Sequence, residues 1–257
     1  MTNAPLLAVR GATRRFGAVT ALDDVTFTVD AGEVLAILGD NGAGKSTLIK
    51  CISGAHRLHS GTIELDGRPV TISSPAAARA LGIETVYQDL ALFDNLNPID
   101  NFYAGREVAS PRWLPRGMRL LRRREMFGTT EAVVQRLRVG LPDLHGPVGL
   151  LSGGQRQAVA VARAAAFASR LVILDEPTAA LGVRETGQVL KLIRELRDNG
   201  LAIILISHNM PNVFEVADRI HIQRLGACAG VISPKTHSME DAVAIMTGAK
   251  KLTAAAD

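Results

Sequence analysis

Cysteine is nearly absent. Cys51 and Cys228 form no C-x-x-C pair in 257 residues, which excludes a disulfide framework and a cysteine-built zinc site. Long apolar runs are missing too: the longest, such as Leu201–Ile206, are strand-sized, far short of the ~20 residues a membrane helix needs. The opening M-T-N-A-P-L-L-A-V-R lacks a basic segment followed by a long apolar one, so no secretory signal is expected. Neither sign of charge dominates. A net charge of +4 and a pI near 9.4 fit nucleic acid, nucleotide or an anionic membrane face, and choose none of them. With 47% hydrophobic and 21% charged residues, the chain reads as a soluble globular protein able to bury a substantial core. It is expected in the cytosol, reaching a membrane only through a partner.

What is present is an ordered series of strands and loops. Val25, Phe27 and Val29 alternate with Thr26, Thr28 and Asp30, the period of a half-buried strand. G-T-I-E-L-D-G at 61–67 alternates likewise and ends on the hairpin signal Asp66-Gly67. The first 70 residues are therefore expected to form an antiparallel β layer around the buried parallel strand V-L-A-I-L, 34–38. Two similar runs, 170–174 and 201–206, flank an amphipathic helix carrying Val189, Leu192, Ile193 and Leu196 and stopped by Asn199-Gly200. That is a βαβ crossover. Residues 89–150 differ, with prolines at 98, 111, 115, 142 and 147 and a helical stretch around 125–138. The expected fold is thus α/β, a parallel-sheet core (1–88 and 160–257) with an antiparallel β subdomain and a helical subdomain inserted at about 89–159.

The run Gly39, Asp40, Asn41, Gly42, Ala43, Gly44, Lys45, Ser46, Thr47 matches G-x-x-x-x-G-K-[ST], directly after the strand 34–38 and before a helix expected at Ser46–Ser53. Glycines let successive N–H groups turn inward around an anion. Lys45 supplies a mobile cation for the outer phosphates, and the Ser46 hydroxyl can ligate Mg²⁺. This pattern fixes nucleotide binding without separating a kinase, a GTPase and a transport motor.

L-L-S-G-G-Q-R-Q at 150–157 separates them. Ser152, Gly153 and Gly154 offer a hydroxyl and two unhindered amides where a helix, Gln155–Ala168, begins; alone they would be an ordinary cap. Together with the phosphate loop and the acidic pair Asp175-Glu176, they make the sequence resemble the nucleotide-binding subunits of ABC transporters, which implies a P-loop NTPase core of RecA-like type for the α/β fold. The resemblance implies that Leu151–Gln155 is the signature motif and Leu171–Asp175 the Walker B strand. It implies further that Gln88 in T-V-Y-Q-D is the Q-loop glutamine, His208 in I-S-H-N the switch histidine, and Phe16 in R-R-F-G the aromatic stacking on adenine.

The roles implied are equally specific: Ser46, Gln88 and Asp175 around Mg²⁺, Glu176 polarising the attacking water, and His208 contacting the γ-phosphate of ATP. A second nucleotide-binding subunit, in a homodimer, would complete the Lys45 pocket with its own Ser152–Gln155. G-I-E-T-V-Y-Q-D-L-A-L and I-S-H-N-M-P-N-V-F-E-V-A-D-R-I-H-I are similar to the monosaccharide (class 2 carbohydrate uptake) importers, above all the fructose type. That resemblance implies an integral-membrane permease, a periplasmic sugar-binding protein, and a place on the cytoplasmic face of the inner membrane. With 49 residues after His208, no C-terminal regulatory domain is expected.

A soluble ABC-type ATPase acting on nucleic acid or the ribosome is the alternative; no sustained heptads support it, and no nucleic-acid partner is expected. A P-loop kinase fits poorly with the 151–155 motif and Glu176. Arg112, Arg116, Arg119, Arg122, Arg123 and Arg124, with Trp113 and Leu114 among them, read as a solvated face or as a dock for an anionic leaflet or a permease loop; a nucleic-acid patch is the weaker reading, since one aromatic accompanies them. The loop Ala179-Ala180-Leu181-Gly182 departs from the family's usual S-A-L-D, which puts inter-subunit coupling in question and leaves Glu185 as a candidate substitute.

Overall fold

The computed structural model describes residues 4–111, 113, 115 and 120–250. Of the arginine cluster, Arg112, Arg116 and Arg119 lie outside the described residues, as does Leu114.

The antiparallel layer expected over the first 70 residues is a four-stranded sheet. Strands β1 (Leu7–Phe16) and β2 (Val19–Val29) pair with each other, and β4 (Ser60–Leu65) and β5 (Arg68–Val70) extend the order to β2-β1-β4-β5. Val25, Phe27 and Val29 point inward, at 4% exposure or less. Asp66 and Gly67 both take positive φ, 49° and 71°, between the paired residues Leu65 and Arg68. Such a two-residue turn matches the twist of the strands it joins.

The central sheet has six strands: β3 (Val34–Leu38), β6 (Ile83–Val86), β9 (Leu171–Asp175), β10 (Ala202–Ile206), β11 (Arg219–Arg224) and β12 (Ala227–Ile232), in the order β12-β11-β3-β10-β9-β6. All neighbours are parallel except β11 and β12. Both faces are covered, so β3, β10 and β9 as far as Leu174 are apolar throughout. Leu35, Ile37, Ile173 and Ile204 pack toward the antiparallel layer, while Ala36, Leu38, Val172, Leu174, Ile203 and Leu205 pack toward the helices. The two cores follow from the two-residue period of the strand.

Helices α1 (Lys45–Ile52), α2 (Pro75–Ala80), α3 (Pro98–Tyr103), α4 (Arg123–Arg136), α5 (Gly153–Phe167), α6 (Val183–Asp198), α7 (Met210–Val216) and α8 (Met239–Thr247) complete the fold. The α/β class is as expected, and the element ends shift by a residue or two. Between 89 and 150 the chain holds α3 and α4 and also a short hairpin that periodicity did not suggest, β7 (Ala109–Ser110) with β8 (Leu120–Leu121). Helix α5 runs unbroken through the boundary expected at 159/160.

One ion pair ties the inserted segment to the sheet. Buried Glu84 on β6 receives Arg106, just beyond α3, at 2.8 and 3.3 Å. The Arg106 guanidinium also lies 4.2 Å from the ring of Phe167 at the end of α5. Arg106→Ala should destabilise the protein by about 3 kcal/mol in urea unfolding, because it strands a buried carboxylate. The double variant Arg106→Met/Glu84→Leu should recover most of that loss, and failure to recover would show that the pair contributes more than charge balance.

Candidate active site

Strand β3 ends at Leu38 and releases the chain into the Gly39–Gly44 loop, which turns into α1 at Lys45. Two glycines are sterically obligatory. A Cβ on Gly39 would lie 2.2 Å from the Gln223 carbonyl oxygen on β11, and one on Gly44, at φ 101°, would lie 2.4 Å from the Ala21 carbonyl oxygen. At these two positions the loop is wedged against neighbouring backbone with no space for a side chain. Asp40, Asn41 and Gly42 are exposed at its tip, Ala43 is buried, and Ser46 and Thr47 occupy the first turn of α1.

Lys45 is almost fully buried, at 9% exposure, and its Nζ donates to the carbonyls of Gly39 (2.6 Å) and Asp40 (2.9 Å). The ammonium is thereby held inside the curl of the loop. Burial pushes its pKa down, and the charges of Glu176, Asp40 and Asp175 act against that shift.

The opposite wall of the cleft comes from the C-terminal edges of neighbouring parallel strands, where ligands bind in open α/β sheets. β9 ends on Asp175, in register with Ile206 at the end of β10. The next residue, Glu176, has φ 52°, a conformation rare for a residue with a side chain, and its N–H donates to the Ile206 carbonyl at 2.9 Å. That turn brings the Glu176 carboxylate to 2.9 Å from Nδ1 of His208, which follows β10. Gln88, two residues past β6, is exposed on the same edge. Gly39, Asp40, Asn41, Gln88, Glu176 and His208 line one cleft of ≈ 450 Å³, whose remaining wall is Leu38, Met210 and Met246. Burial, and secondarily the neighbouring Glu176, raise the pKa of Asp175, while Lys45 and Lys50 oppose the rise.

Two groups of expected site residues lie elsewhere. Phe16, 42% exposed at the end of β1, stands edge-on to His56 with the Arg14 guanidinium 4.8 Å from its ring. Ser152–Gln155 form the N-terminus of α5 and do not line the cleft. There Ser152 Oγ accepts from the Gln155 N–H (3.2 Å), and Gln155 Oε1 accepts from the Ser152 N–H (2.9 Å), a reciprocal capping box. This cap leaves Ser152 and Gly153 facing solvent.

Two residues with clear structural parts were not singled out for them by the sequence. Arg163 on α5 donates to the carbonyls of Leu90 and Ala91, both at 2.8 Å. Those residues, just after Gln88, take left-handed φ values of 58° and 46°. An arginine amid the small apolar residues of A-V-A-R-A-A-A was the available signal. Glu185, expected only as a stand-in carboxylate, packs on the Ser152–Gln155 turn. A Cβ on Gly154 would meet its Cγ at 2.4 Å, and a Cβ on Gly182 would meet its Oε2 at 2.6 Å.

The raised pKa of Asp175 carries a sign. A carboxyl whose folded pKa exceeds its unfolded value favours folding fully at pH below the unfolded value, and that contribution is lost as pH climbs through the folded one. Asp175→Asn should therefore raise the nucleotide-free melting temperature at pH 7, with the gain vanishing below the ordinary aspartate range. Melting curves from pH 4 to 8 without nucleotide measure it.

A family model described as ABC transporter matches residues 22–179. The fructose import ATP-binding protein FrcA of Rhizobium meliloti is 54% identical over 252 residues, covering 98% of this chain and 97% of that protein. The xylose/arabinose import ATP-binding protein XylG of Sulfolobus acidocaldarius is 43% identical over 242 residues, 94% of each chain. Among solved structures, cbiO1 from Clostridium perfringens, part of the ABC transporter complex cbiONQ, matches with a TM-score of 0.74 at 28% identity, over 90% of this chain and 89% of that one. With the phosphate loop, the acidic strand end and this extent of similarity together, the chain belongs to the ABC transporter family and is one of its ATP-binding ATPases.

Proposed function

We propose that the protein energises uptake of a monosaccharide, fructose or a sugar close to it, through a separate membrane permease. The observation that carries the chemistry is the single cleft shared by the phosphate loop, Gln88, and the Glu176–His208 pair at 2.9 Å. The 54% identity to a fructose import ATPase over nearly the whole chain supports the cargo class. No helix among the described residues is long and apolar enough to cross a membrane, which is consistent with a peripheral subunit held at the cytoplasmic face by its permease. A periplasmic sugar-binding protein would deliver the cargo.

ATP seats its β- and γ-phosphates on the amides of Gly39–Thr47, at the N-terminus of α1, with Lys45 Nζ leaving its two carbonyls for the phosphate oxygens. Phe16 receives the adenine. Phosphoryl transfer asks the protein mainly for positioning and neutralisation of charge. Glu176 orients water toward the γ-phosphorus and takes its proton as the bond to ADP breaks, while His208 holds Glu176 in place and faces the departing phosphate. The donor set of Ser46 hydroxyl, Gln88 amide and Asp175 carboxylate suits Mg²⁺, which binds through one or two carboxylates plus phosphate oxygens. Bound there, it would neutralise charge developing on the β- and γ-oxygens.

The Ser152–Gln155 turn, which does not line its own cleft and presents Ser152 and Gly153 to solvent, would close the cleft of a second copy in a homodimer. Residues 89–159 form the signature subdomain in this reading. Glu185, seated against both Gly154 and Gly182, would couple the signature turn to the 179–182 loop across that dimer.

Glu176→Gln should lower ATP turnover by about 10²–10⁴-fold, the scale of a lost general base, while leaving nucleotide affinity within a few-fold of wild type. Steady-state hydrolysis and equilibrium binding of a fluorescent ATP analogue read the two quantities. A mutant hydrolysing at the wild-type rate would remove Glu176 from its role. Gly182→Asp would crowd Glu185 and place like charges together, so it should change the Hill coefficient for ATP more than the maximal rate; ATPase titrations of the purified dimer test this.

A further inference from the structure

Gln88 lines the cleft from a short turn that is fastened on both sides. On one side Tyr87 donates its hydroxyl to Ser53 Oγ at 3.0 Å, and Ser53 is the C-cap of α1, the helix that starts at the phosphate loop. On the other side Leu90 and Ala91 take left-handed φ values of 58° and 46°, with neither glycine nor asparagine there to ease them. Their N–H groups donate to the carbonyls of Tyr87 (2.9 Å) and Asp89 (2.7 Å). Their carbonyls accept from the two ends of one fork, Nη2 and Nη1 of Arg163, each at 2.8 Å.

Among the described residues Arg163 donates side-chain hydrogen bonds only to this turn. The carboxylate whose charge reaches it, Glu84, already holds Arg106 at 2.8 and 3.3 Å. Burial depresses the Arg163 pKa, and the Arg106 charge adds to that shift while Glu84 opposes it. A planar fork fixes both carbonyls in direction as well as distance, which the single ammonium of a lysine does not. A partly buried cation and two strained residues are a costly way to make a mere connection. Such exceptions to local rules collect at functional sites.

We propose that Arg163 is a positioning residue for ATP hydrolysis. By gripping the Leu90 and Ala91 carbonyls it keeps Gln88 in the wall of the cleft that Gln88 shares with Glu176 and His208. This role rests on Gln88 taking part in hydrolysis as proposed above. Loosening the grip costs rate rather than nucleotide affinity, because the phosphate loop carries the binding contacts and Gln88 serves the reacting geometry.

A double-mutant cycle on the purified full chain tests this, with Arg163→Lys and Gln88→Ala made alone and combined. Arg163→Lys should lower kcat by about 10²-fold, the scale of a displaced positioning group. Its affinity for a fluorescent ATP analogue, measured in EDTA, should stay at the wild-type value, while amide hydrogen exchange across residues 88–92 quickens. The combined variant should be no slower than Gln88→Ala, since residues acting as a unit are not additive. Should Arg163→Lys fail to fold, Arg163→Gln, which keeps a donor without a charge to bury, takes its place with the same expectations. Losses that multiply in the combined variant overturn the proposal and leave the role of Gln88 standing. An unchanged kcat or unchanged exchange in the Arg163 variant overturns it as well, as does an equal loss of rate and nucleotide affinity. Wild-type turnover by Gln88→Ala would remove Gln88 from hydrolysis, and the role of Arg163 with it.

Discussion

The register between β9 and β10, with Asp175 opposite Ile206, is the constraint on which the site depends. Both faces of this sheet are buried, so every residue of β10, and every residue of β9 before Asp175, is committed to one core or the other. A one-residue slip would exchange the two faces and carry the acidic pair away from the cleft. The apolar runs therefore act as rulers. By filling two cores at once, they bring the ends of β3, β10, β9 and β6 to a common edge, where Gln88, Glu176 and His208 line one cleft and Lys45 and Asp175 lie within reach of the Glu176 charge.

What meets there is costly to hold. Lys45 is buried with its pKa depressed, and Asp175 is partly buried with its pKa raised, each shift opposed by the other's charge. Glu176 holds a backbone conformation disfavoured by about 1 kcal/mol or more for a side-chain-bearing residue. Leu90, Ala91 and Ala180 do the same in adjoining loops. Such strain persists only where surrounding bonds over-determine it, and here they are visible: the Ile206 carbonyl on Glu176, and the Arg163 guanidinium on Leu90 and Ala91. These bonds hold the loops of the cleft in defined positions without nucleotide, which suits phosphoryl transfer by positioning.

Legibility in the sequence followed the range of the interactions. The strands 34–38 and 201–206 were readable because burial on two faces writes a continuous apolar run, and the Asp66-Gly67 turn because its backbone angles select those residues. The phosphate loop was readable because steric exclusion by the Gln223 and Ala21 carbonyls leaves glycine as the only choice at 39 and 44. Arg163 was not, since its acceptors are backbone carbonyls more than seventy positions away, and carbonyls carry no sequence signature. The β7–β8 hairpin escaped because two-residue strands with exposed side chains have no period to detect. Glu185 was noticed for its charge; its packing against Gly154 and Gly182 is purely three-dimensional.

Those late-found residues converge on α5. Its first turn carries Ser152 and Gln155 and rests on Glu185, which also abuts Gly182. Nine residues on, or about 14 Å at the rise of an α-helix, Arg163 grips the loop behind Gln88. At its far end Phe167 lies under Arg106, the partner of Glu84 on β6. Helix α5 thus joins the Ser152–Gln155 turn, the 179–182 loop and the loop behind Gln88 through direct contacts, so the lack of a carboxylate at 182 does not leave these three segments without a physical connection.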